Sequence, residues 1–167
     1  VPVNLETVTR EVLSDLEVKI EETEAKVEIE ELPTLDADPL QMRQLMQNLV
    51  SNALKFHRKD TNPAIKISTA PVSNLSNGNG SGANINSCQI MIKDNGIGFD
   101  EKYLDKIFTV FQRLHGRTEY EGSGIGLAVC RKIVERHHGT ITAQSTLGEG
   151  ATFIITLPFK QSKAETN

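Results

Sequence analysis

Between Pro39 and His57 the chain reads PLQMRQLMQNLVSNALKFH, and the spacing of its apolar residues predicts a helix. Gln44, Asn48 and Asn52 recur every four residues and Lys55 follows three later. At about 100° per residue their side chains form one narrow polar stripe. Directly beside it lie Met42, Leu45, Leu49, Ala53 and Phe56, an apolar face that must meet a core. Asparagine is a poor residue for a helix interior, and a buried amide needs partners. An ordinary solvated face accounts for one asparagine. Two asparagines and a lysine in register suit a row of groups aimed at a polar ligand, such as a metal with phosphates.

The rest of the chain frames that helix. A length of 167 residues suits one domain with a substantial core. The net charge of −4 gives no footprint for nucleic acid or a membrane surface. No apolar run is long enough to span a bilayer, and no signal peptide is present. The chain begins without Met and reads as a fragment of a longer protein. Cys88 and Cys130 lie far apart, outside any metal or redox motif, and are expected to be buried reduced thiols.

Asn4 is suited to cap a helix running to about Glu17, with Leu5, Val8, Val12 and Leu16 on one face. Lys26 to Leu32 alternates as a strand does, and Leu35 to Ala37 suits a short edge strand. Asp38 is placed to cap the central helix, with Pro39 in its first turn. Ala64 to Val72 and Cys88 to Lys93 read as two antiparallel strands. Between them, Ser73 to Ser87 is nearly all Asn, Ser and Gly and predicts a flexible loop. Another helix opens at Gly124 and ends at His137-His138, with Gly139 as its cap. Strands over Thr140 to Ser145 and Ala151 to Leu157 follow, and the tail over 161–167 is polar. This order predicts a two-layer α/β sandwich: a mixed, mostly antiparallel sheet with three main helices on one face.

Three more stretches carry chemistry. In DNGIGF, Asp94 is an acceptor-only carboxylate at a strand end, with Gly96 and Gly98 clearing space beside it. Such a group can accept from an exocyclic amine like that of adenine, although Asp-Asn-Gly alone is also ordinary turn chemistry. In GSGIGL, Gly122, Gly124 and Gly126 lead into a helix start, a place that favours an anion. It is neither a Walker A loop nor a dinucleotide fingerprint. GEGATF, from Gly148 to Phe153, suits a tight hairpin or close packing under a base, with Thr152 offering a hydroxyl.

Together, in this order and spacing, these stretches resemble the catalytic ATP-binding domain of sensor histidine kinases. QxxxNLxxNAxKF is similar to that family's N box, DNGIGF to its first glycine box, and IFxxFxR (Ile107, Phe108, Phe111, Arg113) to its phenylalanine box. GSGIGL and GEGATF are similar to its later glycine boxes. FQRLHGRTEYEGSGIGLAVCRKIVERH further resembles kinases attached to phytochrome-type photoreceptors.

The resemblance implies a Bergerat-type ATP-binding fold over residues 1–160, with ATP and Mg²⁺ as ligands. It implies that Asn48 binds Mg²⁺, that Asn52 and Lys55 support the phosphates, and that Asp94 takes the adenine amine with Thr152 nearby. Gly96 and Gly98 would shape the pocket. Phe99 to Glu121 would be a mobile lid bringing Arg113 to the γ-phosphate. Gly122, Gly124 and Gly126 would cradle the triphosphate, with Leu127 closing that motif.

The implied partners are an upstream dimerising helical hairpin bearing the phosphoacceptor histidine, and a response-regulator receiver domain. The implied location is the cytoplasm, with the fragment monomeric and its parent a homodimer. No direct contact with membrane or nucleic acid is expected. His57, His115, His137 and His138 do not suit the acceptor role and are expected at the surface. The fragment alone is therefore expected to bind Mg-ATP without phosphorylating itself. Two other functions share this residue set. ATP-hydrolysing clamps of the gyrase and heat-shock type carry a Glu where this chain has Gln44, and an amide is a poor general base. A degenerate nucleotide sensor would not need the intact set of Asn48, Asn52, Lys55 and Asp94.

Overall fold

The computed structural model describes residues 1–73, 85–103, 107–108 and 126–160. Asn4 caps α1 (Leu5–Asp15), its side chain accepting from the Thr7 N–H at 3.1 Å. The helix stops short of Glu17. Buried Leu16 breaks the turn, and a second helix, α2 (Glu17–Thr23), follows with no buried residue. Its charged, unpatterned sequence hid it. Between α2 and α3 (Pro39–Lys55) run two short strands, β2 (Lys26–Ile29) and β3 (Thr34–Asp36). β3 pairs with β1 (Pro2–Asn4) in a separate ribbon.

The main sheet has five strands in the order β2-β4-β5-β7-β6, with β4 over Ala64–Ser73, β5 over Ile85–Asp94, β6 over Thr140–Thr146 and β7 over Gly150–Pro158. β2 pairs in parallel with β4, and every other pairing is antiparallel. Ser73 and residues from Ile85 onward, expected in the loop, belong to β4 and β5. The remainder of that loop lies outside the described residues. Alternation along the strands decides the two faces. Ile65, Ile67, Ile90, Ile92, Phe153 and Ile155 turn to one side and are buried there with Met42, Leu45, Met46 and Leu49 of α3. α1, α3 and α4 (Gly126–Arg136) cover this side, so the expected mixed α/β sandwich is the observed architecture. Cys88 and Cys130 are buried free thiols.

Helix α3 is fixed at its start. The Asp38 carboxylate accepts from the N–H groups of Leu40 and Gln41 at 2.9 and 3.1 Å. The Asp38 N–H in turn donates to His137 Nε2 at 3.1 Å, and His137 Nδ1 lies 2.8 Å from the Ile133 carbonyl. One nitrogen accepts and the other donates, which defines a neutral imidazole. His137 is 5% exposed, so the expectation of a surface side chain is corrected for this residue. His138 is exposed, His57 half-buried, and His115 lies outside the described residues. The left-handed residue ending α4 is His138, at φ 64°, rather than Gly139. Gly139 is required for space instead, since a β-carbon there would meet the Thr156 carbonyl at 2.1 Å.

Candidate functional site

Three chain segments meet at the C-terminal end of α3. Asp94 is the last residue of β5 and shares the helix-facing side with Ile90 and Ile92. Its neighbour across the strand is Ala151 of β7. Asp94 Oδ1 accepts from the N–H groups of Gly96 (2.8 Å) and Ala151 (3.3 Å). Among the described residues, Oδ2 has no partner. Burial raises the carboxyl above its ordinary pKa, and the two backbone N–H groups oppose that rise. The result is an oriented acceptor with one oxygen left for a ligand.

The turn after Asp94 is locked from all sides. The Ile97 N–H donates to the Phe56 carbonyl at 3.0 Å. A β-carbon on Gly96 would sit 2.4 Å from that same oxygen. Gly98 has φ 65° and faces the Thr146 carbonyl, and Gly148 (φ 87°) donates its N–H to the Ile97 carbonyl. Arg58 Nε donates to the Asn95 carbonyl at 2.9 Å, while Asn95 Oδ1 accepts from the Ala64 N–H at 2.8 Å. Ser145 Oγ donates to the Gly150 carbonyl at 2.7 Å and accepts the Phe99 N–H at 2.8 Å. The DNGIG and LGEG turns thus face each other and are joined by backbone contacts for which side chains would leave no room.

Along α3, Asn48, Asn52 and Lys55 are half-buried and Gln44 is exposed. The predicted stripe is therefore graded, with Gln44 its most open member. The Asn48 side chain neighbours Cys130 of α4 and opposes the rise that burial gives its thiol. Phe56 is the half-buried C-cap of α3 rather than part of its apolar face, and contributes through its carbonyl.

Thr152 is not brought into this group. It pairs with Lys93 and Gln144, between buried Ala151 and Phe153, so its side chain projects from the opposite face of the sheet. The inward hydroxyl at this corner is Ser145. Of the expected lid over 99–121, residues 104–106 and 109–121 lie outside the described residues, and Phe99 at its start is packed. That ring is 7% exposed, and its centroid lies 6.5 Å from that of Phe153. Glu101 accepts the Ser145 N–H at 2.8 Å, and the Phe108 ring stacks edge-on against Phe153 at 6.2 Å. Gly126 is the first residue of α4, and Leu127 is half-buried against the core. Arg113, Gly122 and Gly124 lie outside the described residues.

Sequence reasoning missed Ser145, Arg58, the Phe56 carbonyl and Cys130 as a neighbour of Asn48. Ser145 was readable from alternation with buried Ala143. Nothing in the sequence marks the others.

The donor set fits a purine nucleotide with a hard cation. Asp94 Oδ2, without a partner among the described residues, is of the kind that suits an exocyclic amine, and Gly96 leaves the carboxylate uncovered. The amides of Asn48 and Asn52 offer neutral oxygen, and Lys55 offers positive charge. Among the described residues, no cluster of three or more His, Cys, Asp or Glu could hold a metal by itself. Among the same residues no helix is long and apolar enough to cross a membrane.

Comparison with known proteins gives a consistent result. A family described as histidine kinase-, DNA gyrase B-, and HSP90-like ATPase matches residues 37–161. Cyanobacterial phytochrome A of Nostoc sp. (strain PCC 7120 / SAG 25.82 / UTEX 2576) is 43% identical over 146 residues, which are 87% of this chain and 17% of that protein. The catalytic domain of histidine kinase ThkA, in a nucleotide-free form, is similar at a TM-score of 0.75 and 25% identity, over 97% of this chain and 98% of that one. ThkA in complex with response regulator protein TrrA is similar at a TM-score of 0.71 and 26% identity, over 95% of this chain and 41% of that one. The chain spans 17% to 19% of the length of the phytochromes it matches.

Proposed function

This chain belongs to the histidine kinase-, DNA gyrase B-, and HSP90-like ATPase family, as an ATPase domain of the kind found in two-component sensor kinases, and from that premise we propose that it binds Mg-ATP between α3 and the turn after β5. The γ-phosphate then passes to a histidine on a separate dimerising hairpin, for relay to a receiver-domain aspartate. Residues 1–160 act as one catalytic unit in the cytoplasm, within a homodimeric parent.

The observation that carries this reading is Asp94. Its Oδ1 is fixed by two backbone N–H groups, while its Oδ2 has no partner among the described residues. The turn that bears it is bonded to the end of the helix carrying Asn48, Asn52 and Lys55. An adenine amine donating to Oδ2 would be oriented by a rigid group. Asn48 would offer its carbonyl oxygen to Mg²⁺, which supplies charge neutralisation and alignment to the phosphates when bound. Asn52 and Lys55 would extend the same row along the phosphates. Arg113 would approach the γ-phosphate, and Gly122, Gly124 and Gly126 would offer backbone N–H groups to the chain of phosphates. Gln44 favours histidine over water as acceptor, because an amide does not take a proton from water at neutral pH. ThkA, whose fold is similar, forms a complex with the response regulator protein TrrA, which supports a receiver domain as partner here.

Titration calorimetry tests the reading. Mg-ATP should release heat on binding the native chain, and Asp94→Asn should abolish most of it. Incubation with labelled ATP alone should leave the chain unlabelled, whereas a hairpin bearing the acceptor histidine should become labelled when added. No heat from the native chain would refute nucleotide binding. Acid-labile label on the chain alone would refute the separate acceptor.

A further inference from the structure

Ser145 sits two strands away from Asp94. The row across the sheet runs from Asp94 of β5 to Ala151 of β7 to Ser145 of β6, so about 10 Å of sheet separates hydroxyl from carboxylate. One line of hydrogen bonds nevertheless joins them. The Phe99 N–H donates to Ser145 Oγ at 2.8 Å, and Oγ donates to the Gly150 carbonyl at 2.7 Å. That carbonyl belongs to the same peptide as the Ala151 N–H, which donates to Asp94 Oδ1 at 3.3 Å. In a trans peptide the oxygen and the N–H point in opposite directions, so the line passes through the peptide plane without a break. A donor on the carbonyl polarises the unit and strengthens its N–H as a donor in turn. The backbone of Ser145 is itself held, its N–H donating to Glu101 at 2.8 Å.

We propose that Ser145 is a positioning residue for purine recognition: its hydroxyl fixes the Gly150–Ala151 peptide, and through that peptide sets the direction in which Asp94 presents Oδ2 to an exocyclic amine. This rests on the reading of Asp94 as the acceptor for the adenine amine. Ser145 itself touches no ligand. The peptide needs such a support because of the residue that begins it. Gly150 has φ 102°, and a β-carbon there would meet the Asp94 carbonyl at 2.2 Å. The close approach therefore demands glycine, and glycine leaves the peptide after it the most freedom to turn. The Ser145 hydroxyl removes that freedom. The Gly96 N–H also holds Oδ1, at 2.8 Å. One donor fixes a distance, whereas two fix how the carboxylate is turned. Alanine at position 145 would fill nearly the same space and make neither hydroxyl bond.

The test compares the native chain with Ser145→Ala, Ser145→Thr and Ser145→Cys. Calorimetry measures the affinity for ADP and for purine riboside diphosphate, which lacks only the exocyclic amine, and the ratio of the two is the preference for the amine. The native chain should prefer ADP by about tenfold or more. Ser145→Ala should lose roughly fivefold of that preference, the worth of one ordinary hydrogen bond, with its affinity for purine riboside diphosphate within about twofold of native. Ser145→Thr keeps a hydroxyl and should restore the native ratio. Ser145→Cys keeps the shape with a weak donor and should fall between native and alanine; it carries the test if the alanine variant does not fold. A native ratio in Ser145→Ala, or in Ser145→Cys where that variant stands in, overturns the proposal and leaves Asp94 as the acceptor. An equal loss of affinity for both nucleotides also overturns it, since support of the fold alone would act on both. A native chain that does not prefer ADP overturns the reading of Asp94, and the proposal with it.

Discussion

The backbone N–H of Ile97 donates to the carbonyl of Phe56 at 3.0 Å, and this bond joins the turn bearing Asp94 to the end of the helix bearing Asn48, Asn52 and Lys55. Adjacent Gly96 allows it. A methyl group there would lie 2.4 Å from the same carbonyl oxygen, a backbone atom that cannot swing aside. Gly96→Ala should therefore cost about 2–3 kcal/mol. For a chain of this length that is a fall in Tm of roughly 5–10 °C. Calorimetry on the folded variant should also show Mg-ATP affinity down by more than about tenfold, because Asp94 and α3 no longer hold their spacing. A variant with native Tm and native affinity would show that the close approach is not required.

Asp94→Asn separates binding from stability. The amide keeps an oxygen for the Gly96 and Ala151 N–H groups but turns a charge-assisted acceptor into a neutral one. Nucleotide affinity should fall about tenfold or more. Stability should move the other way. The carboxyl pKa is raised in the folded chain, so the folded state holds this proton more tightly than the unfolded state does. Ionisation then costs stability as pH rises through that window, and the amide removes the cost. At pH 7 the variant should unfold at the native Tm or above it. The same raised pKa predicts that nucleotide affinity of the native chain falls on acidification before ordinary carboxylates titrate, while the affinity of the variant stays flat.

His137→Leu should act on the fold alone. It removes the acceptor for the Asp38 N–H and the bond to the Ile133 carbonyl, with an expected loss of about 1–3 kcal/mol in denaturant unfolding. Mg-ATP affinity below the transition should stay within about twofold of native. A large loss of affinity at native stability would place His137 in the nucleotide site instead.

Gln44→Glu tests the choice of acceptor. Gln44 is exposed at the open end of the polar row, where a carboxylate could take a proton from water. Phosphate release without any partner should rise several-fold. An unchanged rate would remove Gln44 from the mechanism and leave the rest of the site standing.

How much of this was legible in the sequence follows from how local each feature is. Helix α3, its Asp38 cap and the place of Asp94 at a strand end are written in spacing and turn chemistry within a few residues. The alternation that defines β7 was equally visible, yet Thr152 was expected in the pocket because of the motif it stands in. Counting from buried Ala151 and Phe153 would have put it on the other face. His137 was expected at the surface because a helix-ending His-His-Gly looks solvated, and its partner, Asp38, is 99 residues away in sequence. The parallel pairing of β2 with β4, the Phe56 carbonyl and the Arg58 clamp are likewise tertiary, and backbone acceptors carry no residue signature at all.

Helix α3 is a beam fixed at both ends, by an imidazole at its first turn and by a glycine turn at its last. It cannot slide or roll without breaking both supports, so a ligand bound along it as proposed would meet a scale that is already ruled. Asn48 and Asn52 mark divisions four residues apart, about 6 Å along the axis. Nucleotides that differ by one phosphate would be read against the same fixed divisions, and the helix would measure its ligand rather than mould itself to it.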